Sequence, residues 1–210
     1  MGKFHTYTYF KAHIDIDEKY VGIIKKAYEQ INDHMECVTN YYDIKGHKKR
    51  RDGVSITKKL TGKKKIEYKI KTTDDYYART IFDNVTFANS YLSAAYNSYH
   101  EELDPDKKES YLAEFAATII HEAAHTAMGN EKYAYLIDYY YRHELGKKLG
   151  WSGDTYVASD VPRSWLPQDY KNEKDVKSEV TYLGPKFQEM ATPPGLTLPF
   201  NLKYGKYYLV

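Results

Sequence analysis

His121 and His125 lie four residues apart, with Glu122 directly after the first of them. On a helix, residues four apart share one face, with Cβ atoms about 5–6 Å from each other. Both imidazoles can then aim at a single Zn²⁺, at the bond length of about 2.0–2.1 Å that zinc–nitrogen coordination requires. Glu122 falls about 100° around the same helix, near the ion without binding it. A general base sits in such a place when it takes a proton from a zinc-activated water. The chemistry these three residues suit is hydrolysis.

The surrounding residues sharpen that expectation. Ile119 and Ile120 precede the histidine, Ala123 and Ala124 fill the gap, and Thr126 and Ala127 follow, so no further charge interrupts the segment. A buried helix carrying two histidines and a glutamate without a metal has three costly polar groups to satisfy. The pentapeptide His121-Glu122-Ala123-Ala124-His125 has the H-E-x-x-H form of zinc peptidases. A third protein ligand is needed, and three acids follow: Glu131, Asp138 and Glu144. Gly129 allows a sharp turn that returns Glu131 to the metal. Asp138 and Glu144 need a second helix packed on the first. In the plainer reading Glu131 is a turn residue, Asp138 a surface acid, and Glu144 a partner for Arg142 or Lys148.

The stretch TIIHEAAHTAMGNEKYAY resembles the zinc core of the aspzincin metallopeptidases, the deuterolysin and peptidyl-Lys metalloendopeptidase family. Gly129 matches the family glycine, and Tyr133-Ala134-Tyr135 matches the segment after its aspartate ligand. The likeness covers about residues 116–136 and departs from the family twice. Asn130 stands where threonine is expected, and Lys132 stands at the aspartate ligand's position. A lysine cannot be that ligand, so Glu131, one residue earlier and one methylene longer, is the residue expected to supply the carboxylate. The resemblance implies a zincin-like fold, one Zn²⁺ per chain held by His121, His125 and Glu131, Glu122 as base, and Tyr135 as oxyanion donor. It also implies cleavage beside a basic residue. Loss of the site at Lys132 would leave a pseudo-peptidase instead.

Several elements must position these residues. Residues 4–16 alternate with the period of one or two strands. Asp17 reads as an N-cap, and Val21, Ile24, Tyr28, Ile31, Met35 and Val38 are spaced for a helix from 18 to about 41. VSITKKL and KIEYKIKT read as short strands of a hairpin or two. Residues 80–100 hold a strand-like piece that runs into a mixed stretch. Asp104 and Pro105 open a helix that reaches about 128 and ends at Gly129. Another helix spans roughly 133–148, and one more falls near 171–182. The expected architecture is a single α+β domain over 1–210, with the zinc-site helices at 105–148 and a small sheet.

The composition narrows the classes further. Charged residues are 29% and hydrophobic ones 42%, the balance of a folded globular chain. No apolar run approaches the ~20 residues of a membrane span. The N-terminus lacks the apolar region of a secretory signal, so the expected location is cytoplasmic, or outside by a non-classical route, as for a toxin or effector. The lone Cys37 excludes an intrachain disulfide and reads as a buried thiol. Segment 45–71 carries a net charge of +10 against −8 elsewhere. Lysine-guarded strand edges explain that charge, and nucleic acid or another anionic partner is the second reading. The leading expectation is a zinc endopeptidase acting on peptide or protein substrates; the alternative is a binding protein that uses the basic segment.

Overall fold

A computed structural model describes residues 3–38, 56–73, 77–128 and 131–150. They form a mixed α+β arrangement with a five-stranded sheet and several helices. Strands β1 (Phe4–Thr6) and β2 (Phe10–His13) pair antiparallel, as the alternation of residues 4–16 suggests. Helix α1 (Glu18–Asp33) follows, and the Asp17 side chain accepts from the Lys19 amide at 3.0 Å, a genuine N-cap.

Helix α1 ends at Asp33, and after a turn at His34 and Met35 residues 36–38 are helical again, so the helix expected to about 41 is broken rather than continuous. His34 leaves helical geometry, and Asn32 turns its amide onto the carbonyls of Tyr28 and Leu60 at 2.8 and 3.1 Å. Local side-chain bonding of that kind competes with helix continuation. Residues 39–55 lie outside the described residues, as do the start of the basic segment and the helix expected near 171–182.

ITKKL, expected as part of a strand, is helix α2 (Ile56–Leu60). Ile56, Lys59 and Leu60 are all buried, the i, i+3, i+4 spacing of one helical face, whereas a strand would turn Lys59 and Leu60 to opposite sides. The hairpins expected across 45–71 are also absent among the described residues. Strand β3 (Ile66–Lys71) instead pairs parallel to β2 on one side and to β5 (Asn84–Ala88) on the other. Strand β4 (Ala78–Ile81) pairs antiparallel to β5, giving the order β1-β2-β3-β5-β4 with β4 at the edge. Parallel neighbours need crossovers, and α1 lies within the connection from β2 to β3.

Gly62 shows what closes the α2–β3 connection. Its φ is +72°, and a Cβ there would stand 2.5 Å from the Thr8 carbonyl oxygen, so only glycine fits.

After β5 the mixed stretch proves helical: α3 (Asn89–Glu101). The central element is α4 (Pro105–Met128), capped by Asp104, whose carboxylate accepts from the amides of Asp106 and Lys107 at 3.0 and 3.2 Å. Helix α4 packs against α1, α2, α3, α5 and β4. Surrounded on most sides, it buries a near-continuous run that is rich in alanine, including Ala113, Ala116, Ala117, Ala123, Ala124 and Ala127. Small side chains let its neighbours approach closely on several faces. Helix α5 (Glu131–Leu149) packs along α4.

The abundant tyrosines are structural in the described core. Tyr28 and Tyr68 join hydroxyls at 2.9 Å, Tyr91 meets the Thr118 hydroxyl at 2.6 Å, and Tyr141 donates to Gln30 at 3.1 Å. Pairing the buried hydroxyls lets tyrosine serve where phenylalanine would be ordinary.

Candidate metal centre

The sequence Ile119-Ile120-His121-Glu122 places the histidine motif in the buried C-terminal third of α4 rather than at its exposed start. His121 is 2% exposed and Glu122 1%, while His125 is partly exposed. The two imidazoles turn toward each other: Nε2 of His121 and Nε2 of His125 are 3.1 Å apart, with the rings nearly edge-on. Two nitrogens that share a tetrahedral Zn²⁺ at about 2.0–2.1 Å must stand about 3.4 Å apart. The pair therefore fits a common ion with a few tenths of an ångström of adjustment.

Glu122 points to the sheet. Its carboxylate accepts from the Thr80 hydroxyl on β4, which also lies 3.3 Å from the Glu122 carbonyl oxygen. Its charge is felt by Tyr68 on β3.

Helix α5 places two of the three candidate acids. Asp138 is buried against α4, and its Oδ2 lies 3.7 Å from Nδ1 of His121, the nitrogen that faces away from His125. Its Oδ1 is 2.8 Å from Nε of Arg142. Arg142 in turn donates to Oε2 of Glu114 at 2.9 Å. Asp138 is thus no surface acid. Glu144, partly buried, lies where its charge reaches Cys37, at the α1 side of α5. Of the partners expected for Glu144, Arg142 pairs with Asp138 and Glu114, and Lys148 bridges to Glu36. Glu131 is the first residue of α5, but its side chain and that of Tyr135 lie outside the described residues, as do Gly129 and Asn130. Among the described residues no cluster of three or more His, Cys, Asp or Glu side chains forms a complete metal shell.

The Asp138–Arg142–Glu114 set escaped the sequence reading, which treated each acid singly. Its signal was present: Asp138 and Arg142 are four apart on one helix, and Glu114 and His121 are seven apart on another. Such spacings place each pair on one face.

Several lysines of the basic segment are committed within the chain. Lys59 is buried and paired with Asp83, which Lys64 also approaches at 3.3 Å. Lys65 donates to the Tyr7 carbonyl at 2.6 Å, and Lys69 sits over the Phe4 ring. Cys37 is buried, and burial together with Glu36 pushes its thiol up to about 11.

No helix among the described residues is long and apolar enough to cross a membrane. Comparison with known protein families, curated proteins and solved structures finds no match to this chain.

Proposed function

We propose that this chain is a zinc-dependent peptidase with a zincin-like arrangement. The observation that carries the reading is the convergence of the His121 and His125 Nε2 atoms, 3.1 Å apart on buried turns of α4. Two imidazoles aimed at one point, that of His121 buried and that of His125 partly exposed, suit a divalent cation better than they suit each other. His121 and His125 hold the metal, and Glu131, at the first turn of α5, is the proposed third ligand. Bound zinc supplies Lewis acidity, polarising a carbonyl and acidifying water.

The remaining work falls to side chains and backbone. Glu122 takes the proton of the attacking water and delivers it to the leaving amine, with Thr80 holding the carboxylate in place between turnovers. Strand β4 is the outer strand of the sheet among the described residues and touches α4, so an extended peptide could add to its outer edge by main-chain hydrogen bonds. A peptide laid there passes the Glu122 carboxylate. Tyr135, four residues beyond Glu131, is the proposed oxyanion donor.

The commitment of Lys59, Lys64, Lys65 and Lys69 to internal partners weighs against a nucleic-acid surface in the described part of the basic segment. The test is hydrolysis of a mixed peptide library by wild type and Glu122→Gln, with bound zinc measured in both. The proposal expects cleavage by wild type and a loss of about 10²–10⁴-fold in the variant at unchanged zinc content. A zinc-loaded wild type that cleaves no peptide would overturn it.

A further inference from the structure

Asp138 sits on the wrong edge of His121 to be a ligand beside it. Nδ1 and Nε2 occupy opposite edges of an imidazole ring. Nε2 of His121 faces His125, while the Asp138 carboxylate approaches Nδ1 at 3.7 Å. An oxygen on the Nδ1 side cannot reach an ion bound at Nε2.

Asp138 is held on that side by its neighbours. Arg142, one turn further along α5, brings Nε to 2.8 Å from Asp138 Oδ1. The approach is close but off-axis for a hydrogen bond, so the contact acts as an ion pair. The other end of the guanidinium donates to Glu114, two turns before His121 on α4, at 2.9 Å. Asp138, Arg142 and Glu114 all have side chains less than a tenth exposed. The four groups therefore close a circuit across the α4–α5 interface: Glu114 to Arg142, Arg142 to Asp138, Asp138 to His121, and back along α4.

Burying these charges is costly in stability, and a hydrophobic set of the same volume would serve the helix interface as well or better. The circuit does something that hydrophobic packing cannot. A carboxylate beside Nδ1 keeps the proton on that nitrogen, which leaves the Nε2 lone pair directed at the point shared with His125. Metal-bound histidines gain orientation and basicity from such a partner.

We propose that Asp138, fixed by Arg142 and Glu114, is a positioning residue for His121: it selects the Nδ1–H tautomer and aims Nε2 at the metal. A hydrogen bond between Nδ1 and Oδ2 requires the 3.7 Å separation to close by about 1 Å, through a turn of the imidazole together with a shift of the carboxylate. The proposal rests on the metal-centre reading for its purpose, but the tautomer can be read without any metal.

The experiment uses the full chain, first metal-free. Long-range ¹H–¹⁵N correlation spectra, with His121 assigned by comparison with His121→Gln, report which ring nitrogen carries the proton. Wild type is expected to show Nδ1–H at His121, and Asp138→Ala to move it toward Nε2–H, the form a free imidazole prefers. Asp138→Asn, which keeps an acceptor of the same size, should retain Nδ1–H and also guards against failure of the alanine variant to fold. Zinc titration then follows: affinity should fall about 10–100-fold in Asp138→Ala, less in Asp138→Asn, with the zinc-to-protein ratio unchanged. An Nε2–H tautomer in metal-free wild type, or a tautomer indifferent to Asp138→Ala, overturns the proposal. Equal zinc affinity in wild type and Asp138→Ala also overturns it. A wild type that binds no zinc but shows the Asp138-dependent tautomer overturns the metal-centre reading and upholds the positioning contact.

Discussion

The hydroxyl of Thr80, on strand β4, donates to the carboxylate of Glu122, in the C-terminal third of the central helix α4. This bond ties the sheet to the histidine motif and gives a carboxylate that is 1% exposed a partner. Thr80→Val keeps the shape of the side chain and removes the donor. The variant should lose about 1–3 kcal/mol of stability in denaturant unfolding, the cost of stranding a buried acceptor. Thr80→Ser should recover most of that loss. Equal stability of Thr80→Val and wild type would mean that the bond contributes nothing.

The turn that carries β4 into β5 is anchored from a distance. Lys59, buried on α2, pairs with Asp83 in that turn, next to Phe82, whose φ is +57°. Burial lowers the Lys59 ammonium's pKa, and Asp83 works against that shift. Removing the partner should hurt more than removing the pair. Asp83→Ala is expected to cost about 1–3 kcal/mol, moderated by the partial exposure of Asp83. Adding Lys59→Met to it should restore much of the loss. Additive losses in the double variant would contradict this account, and denaturant unfolding of the four proteins decides.

Burial raises the hydroxyl pKa values of Tyr28, Tyr68, Tyr91 and Tyr141 above the ordinary tyrosine value. The folded state therefore holds these protons more tightly than the unfolded chain does. The associated stability is fully present below about pH 10 and is lost as pH rises from there toward the folded-state values. Unfolding free energy should fall steadily as pH rises above about 10, and tyrosinate absorbance should show these groups ionising only as the protein unfolds. Smooth ionisation of all tyrosines near pH 10 in folded protein would contradict the packing described.

Cys37 gives a simpler check. A thiol pushed up to about 11 by burial stays protonated at pH 8, and the thiolate is the reactive form. Labelling of native protein by a disulfide reagent should be at least about a hundredfold slower than for a free cysteine, and fast in guanidinium. Rapid native labelling would place Cys37 at the surface.

Much of this was legible from residue spacing. Asp17, Asp104 and Pro105 marked two helix starts because capping is local chemistry, carried by one side chain and the amides next to it. The histidine pair was legible because a four-residue spacing fixes a shared helix face before any packing is known. What spacing could not show was long-range. Ile56 and Leu60 fit either period, and burial of Lys59 on the same helical face, through its pairing with the distant Asp83, was not visible in the local pattern. The order of the strands, with β3 parallel to β2 and β5, depends on crossovers rather than on local pattern. The break in the expected helix after Asp33 falls beside Asn32, which bonds back to Tyr28 and across to Leu60, a residue 28 positions away. Asp138 looked like a surface acid until α5 packed it against the Nδ1 edge of His121.

The most direct test of the account is zinc content, measured by mass spectrometry on purified wild type and on Glu131→Ala, Asp138→Ala and Glu144→Ala after equal exposure to zinc. The account predicts one zinc per chain in wild type, loss in Glu131→Ala, weaker but stoichiometric binding in Asp138→Ala, and no change in Glu144→Ala. Wild type that takes up no zinc, even after reconstitution, would contradict the metal centre and the peptidase built on it.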